Sequence, residues 1–141
     1  MRVCRVVLDH RALDRALDYT VPLELAEQAG VGSIVRVPLQ GRRVRGWVVA
    51  DDVEPETPRD RLRSVLSVVS LGPSPELVEL TAWASWRWAG PRAVFLRAAS
   101  PALLVPPSAA GAFDHAGPGD PPGELRGFDQ APPSDQPTSG N

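Results

Sequence analysis

Two β-rich runs, Ser33 to Leu39 and Val44 to Asp51, flank Gln40-Gly41-Arg42-Arg43, and no other stretch constrains the fold as strongly. Glycine in the connection supplies a positive-φ turn position, so the runs are expected to fold back on each other as an antiparallel hairpin. Strand alternation then sorts the side chains. Ile34 and Arg36 share one face while Val35 and Val37 share the other, and Arg43, Arg45 and Trp47 oppose Val44, Gly46 and Val48. If the register cooperates, one face of the hairpin carries Arg36, Arg43 and Arg45 and its reverse is apolar.

The flanking sequence adds strands before the hairpin and helices after it. Met1 to Leu8 alternates as a strand, Asp9 to Asp14 is a polar turn, and Asp18 to Val21 is extended because Thr20 and Val21 favour strands and Pro22 disfavours helix before it. Leu23 to Ala29 predicts a helical turn ended by Gly30. Asp52 to Asp60, rich in proline and acids, reads as a loop, with Leu62 to Val69 returning to the sheet. Ser74-Pro75-Glu76 is a helix start: serine caps, proline suits the first helical position and the acid favours the positive end of the dipole. Leu77, Leu80, Ala84 and Trp88 form the expected apolar stripe, and Gly90-Pro91 ends this helix and opens another through Arg97. The expected class is α+β, a small, mostly antiparallel sheet or partial barrel followed by a helical hairpin.

Composition bounds the unit. The chain has 141 residues and 43% hydrophobic content, enough for one small core, but the valines, leucines and tryptophans mostly precede Pro101. A folded domain over 1–101 is therefore expected, with a disordered Pro/Gly/Asp-rich tail or linker over 102–141. Through Pro101 there are 14 Arg against 12 acids, and beyond it 1 against 5. The domain is only mildly basic, which argues against a nonspecific duplex coater held by bulk charge.

Other chemistries are disfavoured residue by residue. All 15 basic residues are arginine, so no lysine can serve a P-loop. Cys4 is the single cysteine, expected as a small buried residue, and it offers neither a disulfide framework nor a zinc cluster. Asp51, Asp52, Glu54 and Glu56 sit beside Pro55 and Pro58 and read as solvated loop charges, while His10 lies in a polar turn and His115 in the tail. No enzyme, metal site or cofactor is expected. No run reaches membrane-spanning length and the N-terminus leads into a mixed strand, so cytoplasmic location is the default expectation.

Leu17-Asp18-Tyr19 puts a carboxylate beside an aromatic ring upstream of the basic hairpin, an arrangement that suits a nucleic-acid end better than catalysis. With Ala16-Leu17-Asp18-Tyr19, Val35-Arg36-Val37-Pro38-Leu39, Val44-Arg45-Gly46-Trp47-Val48-Val49, Leu62-Arg63-Ser64-Val65-Leu66, Pro75-Glu76-Leu77 and Leu96-Arg97-Ala98-Ala99-Ser100-Pro101 in order, Met1 to Pro101 resembles the N-terminal 3′ DNA-binding domain of PriA, the primosomal protein N′ family. The resemblance implies binding of the 3′ end of the nascent leading strand at a stalled fork, for primosome assembly and replication restart. Its partners would be a single-stranded 3′ end or forked DNA, together with primosome or replication proteins.

The pocket that the resemblance implies is lined by the family's Phe-Asp-Tyr step, a glycine after Pro-Phe and a lysine before the helices. By position these become Leu17 and Asp18, Gln40 or Gly41, and Arg63. The chemistry is sound without the family: a terminal 3′-hydroxyl is a donor that an internal linkage lacks, and an ionised Asp18 accepts it while repelling a 3′-phosphate. Tyr19 either stacks on the terminal base or packs beneath the pocket. Arg42, Arg43 and Arg45 either steer the phosphodiester backbone or form a solvated hairpin face.

Departures from the family pattern also carry expectations. Leu17 in the aromatic position removes a stacking surface worth roughly 1–3 kcal/mol per base, Trp86-Arg87-Trp88 replaces an Asp-Tyr-Tyr-like stretch, and Ala93 stands where the family often has glycine. Full-length members continue into ATP-dependent 3′-5′ helicase motifs that this sequence lacks, so no helicase activity is expected of it. The alternative is a truncated or degenerate relative acting as a protein-interaction module through its tryptophans. Trp83, Trp86 and Trp88 cannot share one helix face, and core packing is the economical role for Trp83 or Trp88. An exposed Trp86 beside an apolar patch favours that account; an open cleft between Asp18, Gly41 and Arg63 favours DNA.

Overall fold

The computed structural model describes residues 1–107 of the chain. Six strands come first, β1 (Val3–Leu8), β2 (Ala16–Thr20), β3 (Ile34–Leu39), β4 (Arg42–Ala50), β5 (Arg63–Ser64) and β6 (Ser67–Ser70), followed by helices α1 (Pro75–Trp88) and α2 (Arg92–Ala99). Their order in the sheet is β5-β2-β1-β4-β3-β6, antiparallel throughout except for β5 beside β2. The expected α+β class, a partial barrel followed by a helical hairpin, is what forms.

The return segment is where local pattern and fold diverge. It returns to the sheet as expected, but twice: β5 lies on one edge and β6 on the other, with only Val65 and Leu66 between them. Val65 N–H donates to Thr20 O at 2.9 Å and Leu66 N–H to Arg36 O at 2.8 Å, so consecutive residues reach opposite edges. That is possible only because the sheet curls until its edges approach, giving a six-stranded half-barrel. Gly46 permits the curl: a Cβ there would lie 2.6 Å from Val6 Cγ1 and 2.7 Å from the Val7 carbonyl oxygen.

The hairpin is tighter than the sequence suggests. Arg42 pairs with Leu39 and Arg43 with Pro38, leaving a two-residue turn with Gln40 at φ 48° and Gly41 at φ 76°. Two successive positive φ values are the mark of a type I′ turn, whose twist matches that of the strands it joins. The register sets Arg36 opposite Arg45 and Ile34 opposite Trp47, with Val37 opposite Val44 on the reverse. The arginine face is therefore real, but it also carries the tryptophan that anchors the helices.

Two apolar layers result. Inside the curl, Cys4, Val6, Leu8, Tyr19, Val35, Val37, Val48 and Val65 pack together, and burial pushes the Cys4 thiol up to about 12. On the convex side Val7, Ile34 and Trp47 meet Val78, Ala93 and Leu96 of the helices. Trp47 is fully buried there and donates its indole N–H to Ser100 Oγ at 2.8 Å. Ala93 packs without disturbing α2.

The cap of α1 forms as expected, with Ser74 Oγ accepting from Leu77 N–H and Pro75 in the first turn. Its buried stripe is different, however: Val78, Thr81 and Ala84 face the sheet, while Leu77, Leu80 and Trp88 are exposed. Thr81 tolerates burial because its hydroxyl donates to Val78 O at 2.6 Å and accepts from Arg92 Nε at 3.3 Å. Hydrophobicity alone ranks this stripe below its neighbour. Trp83 and Trp86 are exposed as well, so no tryptophan of α1 fills the core; Trp47 does. Trp83 instead meets Trp88 edge to face at 5.4 Å, and Trp88 stacks on Phe95 at 6.2 Å.

Two details add to the expectations. The loop charges of Asp52, Glu54 and Glu56 are solvated, and three of the four loop carboxylates also form ion pairs: Asp51 with Arg2 at 3.2 Å, Glu54 with Arg59 at 3.4 Å and Glu56 with Arg5 at 3.3 Å. The chain also continues to pack past Pro101, where Val105 accepts from Leu71 N–H and donates to Ser70 Oγ, both at 2.8 Å. Residues 108–141, including His115 and most of the expected tail, lie outside the described residues. Among the described residues no helix is long and apolar enough to cross a membrane.

Candidate nucleic-acid interface

The length of β5 creates the site. β5 runs parallel to β2 but pairs only Tyr19 and Thr20, and before Arg63 the chain turns away through a short 3₁₀ segment, Arg59–Arg61. The edge of β2 at Leu17 and Asp18 is left uncovered, and a pocket of about 280 Å³ opens at the rim of the half-barrel. Leu17, Asp18, Tyr19, Gln40, Gly41 and Arg63 all line it, joined by Pro38, Leu39, Thr57, Arg61 and Leu62. Its volume lies near the lower limit of ligand clefts, roughly 300 Å³, which suits one nucleotide unit rather than a folded ligand.

Strand parity fixes what β2 offers to that pocket. Thr20 accepts from Val65 N–H on the β5 side, whereas Val21 N–H points the other way to Arg2 O at 2.9 Å. Asp18 has the parity of Thr20, so its backbone N–H and C=O face the open edge. Tyr19 forms the floor: its ring is buried and its hydroxyl donates to Pro38 O at 3.1 Å, bridging β2 to β3. Of the two roles open to Tyr19, packing beneath the pocket is the one observed. At the opposite wall the Gln40-Gly41 turn brings backbone close to the cavity, and the space over Gly41 is open.

The Asp18 carboxylate is already held in place. Arg5, opposite it in the β1–β2 register, donates from Nε to Oδ1 at 2.8 Å and from Nη2 to Oδ2 at 3.2 Å, and Glu56 N–H donates to Oδ2 at 3.0 Å. The side chain is only 6% exposed. The bonds from Arg5 outweigh the opposing effect of burial and, aided by the Glu56 N–H, hold the Asp18 carboxyl below the usual carboxylate range. A carboxylate has about four accepting positions; three are occupied, and the vacant one is on Oδ1.

Cations divide between the rim and the convex face. Arg61 and Arg63 border the pocket and make no ion pair among the described residues. Arg42, Arg43 and Arg45 do not line it. Arg45 is committed elsewhere, donating to Asp9 Oδ2 at 3.0 Å with its guanidinium 5.8 Å from the centre of the Trp47 ring. Burial opposes ionisation of Asp9, yet hydrogen bonds from Arg97 and Arg45 prevail and keep its carboxyl low. Arg5 and Arg61 were not singled out in the sequence. The signals were an antiparallel β1–β2 register for Arg5 and the Arg61-Leu62-Arg63 spacing for Arg61.

Among the described residues no group of three or more His, Cys, Asp or Glu side chains is placed to hold a metal. The rim cavity thus brings together one fixed carboxylate and two arginines that make no ion pair among the described residues. The family model that matches the chain is that of a 3′ DNA-binding domain (3′BD), over residues 5–101, which makes the protein a DNA-binding module. More narrowly, the chain belongs to the PriA 3′ DNA-binding domain family. No match was found among the curated proteins.

Proposed function

We propose that the rim pocket receives the 3′-terminal nucleotide of a DNA strand and that Asp18 distinguishes a free 3′-hydroxyl from a phosphorylated end. The observation that carries this reading is convergence: Leu17, Asp18, Tyr19, Gln40, Gly41 and Arg63 come from three separated stretches of sequence and line one cavity. The 3′-hydroxyl donates to the vacant position on Asp18 Oδ1, while Arg5 and the Glu56 N–H orient the carboxylate. A 3′-phosphate brings a second anion against Asp18 and is rejected. Arg61 and Arg63 attract the phosphate on the 5′ side. Leu17 offers an aliphatic contact in place of a stacking ring, so hydrogen bonds to the backbone edge of β2 contribute more than base stacking.

In this reading residues 1–101 carry the binding activity and 102–141 form an acidic extension. The protein marks the exposed 3′ end of a nascent strand at a stalled fork for primosome assembly and replication restart, in the cytoplasm, binding without chemistry of its own. Fluorescence anisotropy with matched oligonucleotides ending in 3′-hydroxyl or 3′-phosphate tests it. The native protein should prefer the hydroxyl and Asp18→Ala should lose the preference; equal binding of both ends by the native protein rules the reading out.

The protein-interaction alternative draws on a separate observation, the exposed face of Leu77, Leu80, Trp83 and Trp88 on α1. The two readings use different surfaces. Leu80→Asp should leave end selectivity intact, and any contact it abolishes belongs to a protein partner.

A further inference from the structure

The rim pocket is not isolated. A second cavity of about 340 Å³ shares Leu17, Asp18 and Thr57 with it and adds Arg5 and Arg15. A third, of about 250 Å³, shares Arg15 and Ala16 with the second and adds Asp14, Ser85 and Arg92. The shared lining residues set the three side by side, as a trough running from the half-barrel rim to the helical hairpin. Ser85 is followed in α1 by Trp86, the most exposed tryptophan of the helix, at 78%.

The charge along this trough is unbalanced in one direction. Arg15 is exposed and makes no ion pair among the described residues. Arg92 is partly buried, yet its guanidinium donates only to neutral acceptors, Val78 O at 2.9 Å and Thr81 Oγ1 at 3.3 Å. The nearby Asp14 accepts from the Arg92 backbone N–H at 3.2 Å and so serves the N-terminus of α2. Across the three cavities five arginines face three carboxylates, and Asp18 and Glu56 are both engaged by Arg5. Of the hairpin arginines, Arg45 is bound to Asp9, while Arg36, Arg42 and Arg43 are exposed but border none of the three cavities.

We propose that the strand whose 3′ end fills the rim pocket leaves it along this trough, with successive phosphates at Arg15 and Arg92 and a base stacked on Trp86. The proposal rests on the end-binding reading given above and adds a direction and a length to it. It also gives Trp86 a role that core packing does not. Guanidiniums supply phosphate pairing without sequence preference, and an exposed indole stacks on any base.

Anisotropy titrations of the full chain with 3′-hydroxyl oligonucleotides of two, four, six and eight nucleotides test it. Native affinity should rise with length and then level off. Arg15→Ala and Trp86→Ala, both at exposed positions, should leave dinucleotide binding unchanged and reduce the gain from length, each by roughly tenfold. Arg15→Ala should also lower the slope of log affinity against log salt by about one. An undiminished gain from length in both variants, or loss of that gain in Arg42→Ala/Arg43→Ala instead, overturns the trough. The failures are separable: if the variants lose the length gain but 3′-blocked oligonucleotides bind equally well, the trough stands and the end-reading pocket falls. Hydroxyl preference with no effect of Arg15 or Trp86 on length dependence gives the converse.

Discussion

Asp9 and Asp18 are both aspartates gripped by arginine, one on the convex side of the sheet and one at its rim, and they do different work. Asp9 gives one oxygen to Arg45 of β4 and the other to Arg97 of α2, tying a helix to the sheet next to Trp47. Asp18 takes both donors of a single arginine and a backbone N–H, and its residue borders a cavity. In the first case the carboxylate joins two elements, giving one oxygen to each. In the second, a neighbouring cation fixes a carboxylate that retains an accepting position. The same kind of ion pair thus ties a helix to the sheet in one place and fixes a carboxylate at the rim in the other.

The largest effect should come from breaking the convex layer. Trp47→Ala removes the fully buried indole and the hydrogen bond to Ser100, and is expected to cost about 3–5 kcal/mol, read as a lower denaturation midpoint in urea. The protein that remains folded should keep its hydroxyl preference, because the rim is built from other elements; loss of selectivity without loss of stability would break the comparison.

Next in size is Asp18→Ala. It leaves the Glu56 N–H without an acceptor and Arg5 with only the exposed Glu56 carboxylate, and should cost about 1–3 kcal/mol together with all end selectivity. Acid should mimic it. Because the folded-state pKa of Asp18 is depressed, its contribution is present above the unfolded value and is lost as pH falls through the lower folded value. Hydroxyl selectivity is therefore expected to hold from neutral pH down to about pH 4, near the unperturbed aspartate value, and to decay only below it. A midpoint near pH 6 in the anisotropy profile would exclude Asp18 as the acceptor.

The smallest effect is expected of Asp9→Asn. Both its arginines are substantially exposed, so solvent screening limits the loss to about 1 kcal/mol or less. DNA affinity and hydroxyl preference should stay at native levels. A change in end selectivity, measured on the same oligonucleotides, would mean that the convex layer and the rim are coupled.

Much of this architecture was legible because it is local. Alternation placed Arg36, Arg43 and Arg45 on one face of the hairpin, and the register bears that out; Ser74-Pro75-Glu76 marked the start of α1 at the right residue. The candidate pocket residues were legible through resemblance rather than spacing, and the six that converge came from it. The arginines of the hairpin did not converge with them, since a shared strand face says nothing about which cavity that face adjoins. The stripe of α1 was misjudged because Thr81, polar by composition, satisfies its hydroxyl within the helix and takes a core position from Leu80 or Trp88.

What the sequence by itself determined, then, are the features set within a few residues: strand parity, helix capping and the presence of a turn. These follow from backbone sterics and short-range hydrogen bonds. Only the tertiary structure decided that Val65 and Leu66 bridge two sheet edges, that Arg5 holds Asp18, and that a two-residue β5 leaves the edge of β2 open as a pocket. Each depends on how far the sheet curls. Curl is the sum of many strand twists and one close approach at Gly46, and no local window of sequence contains it.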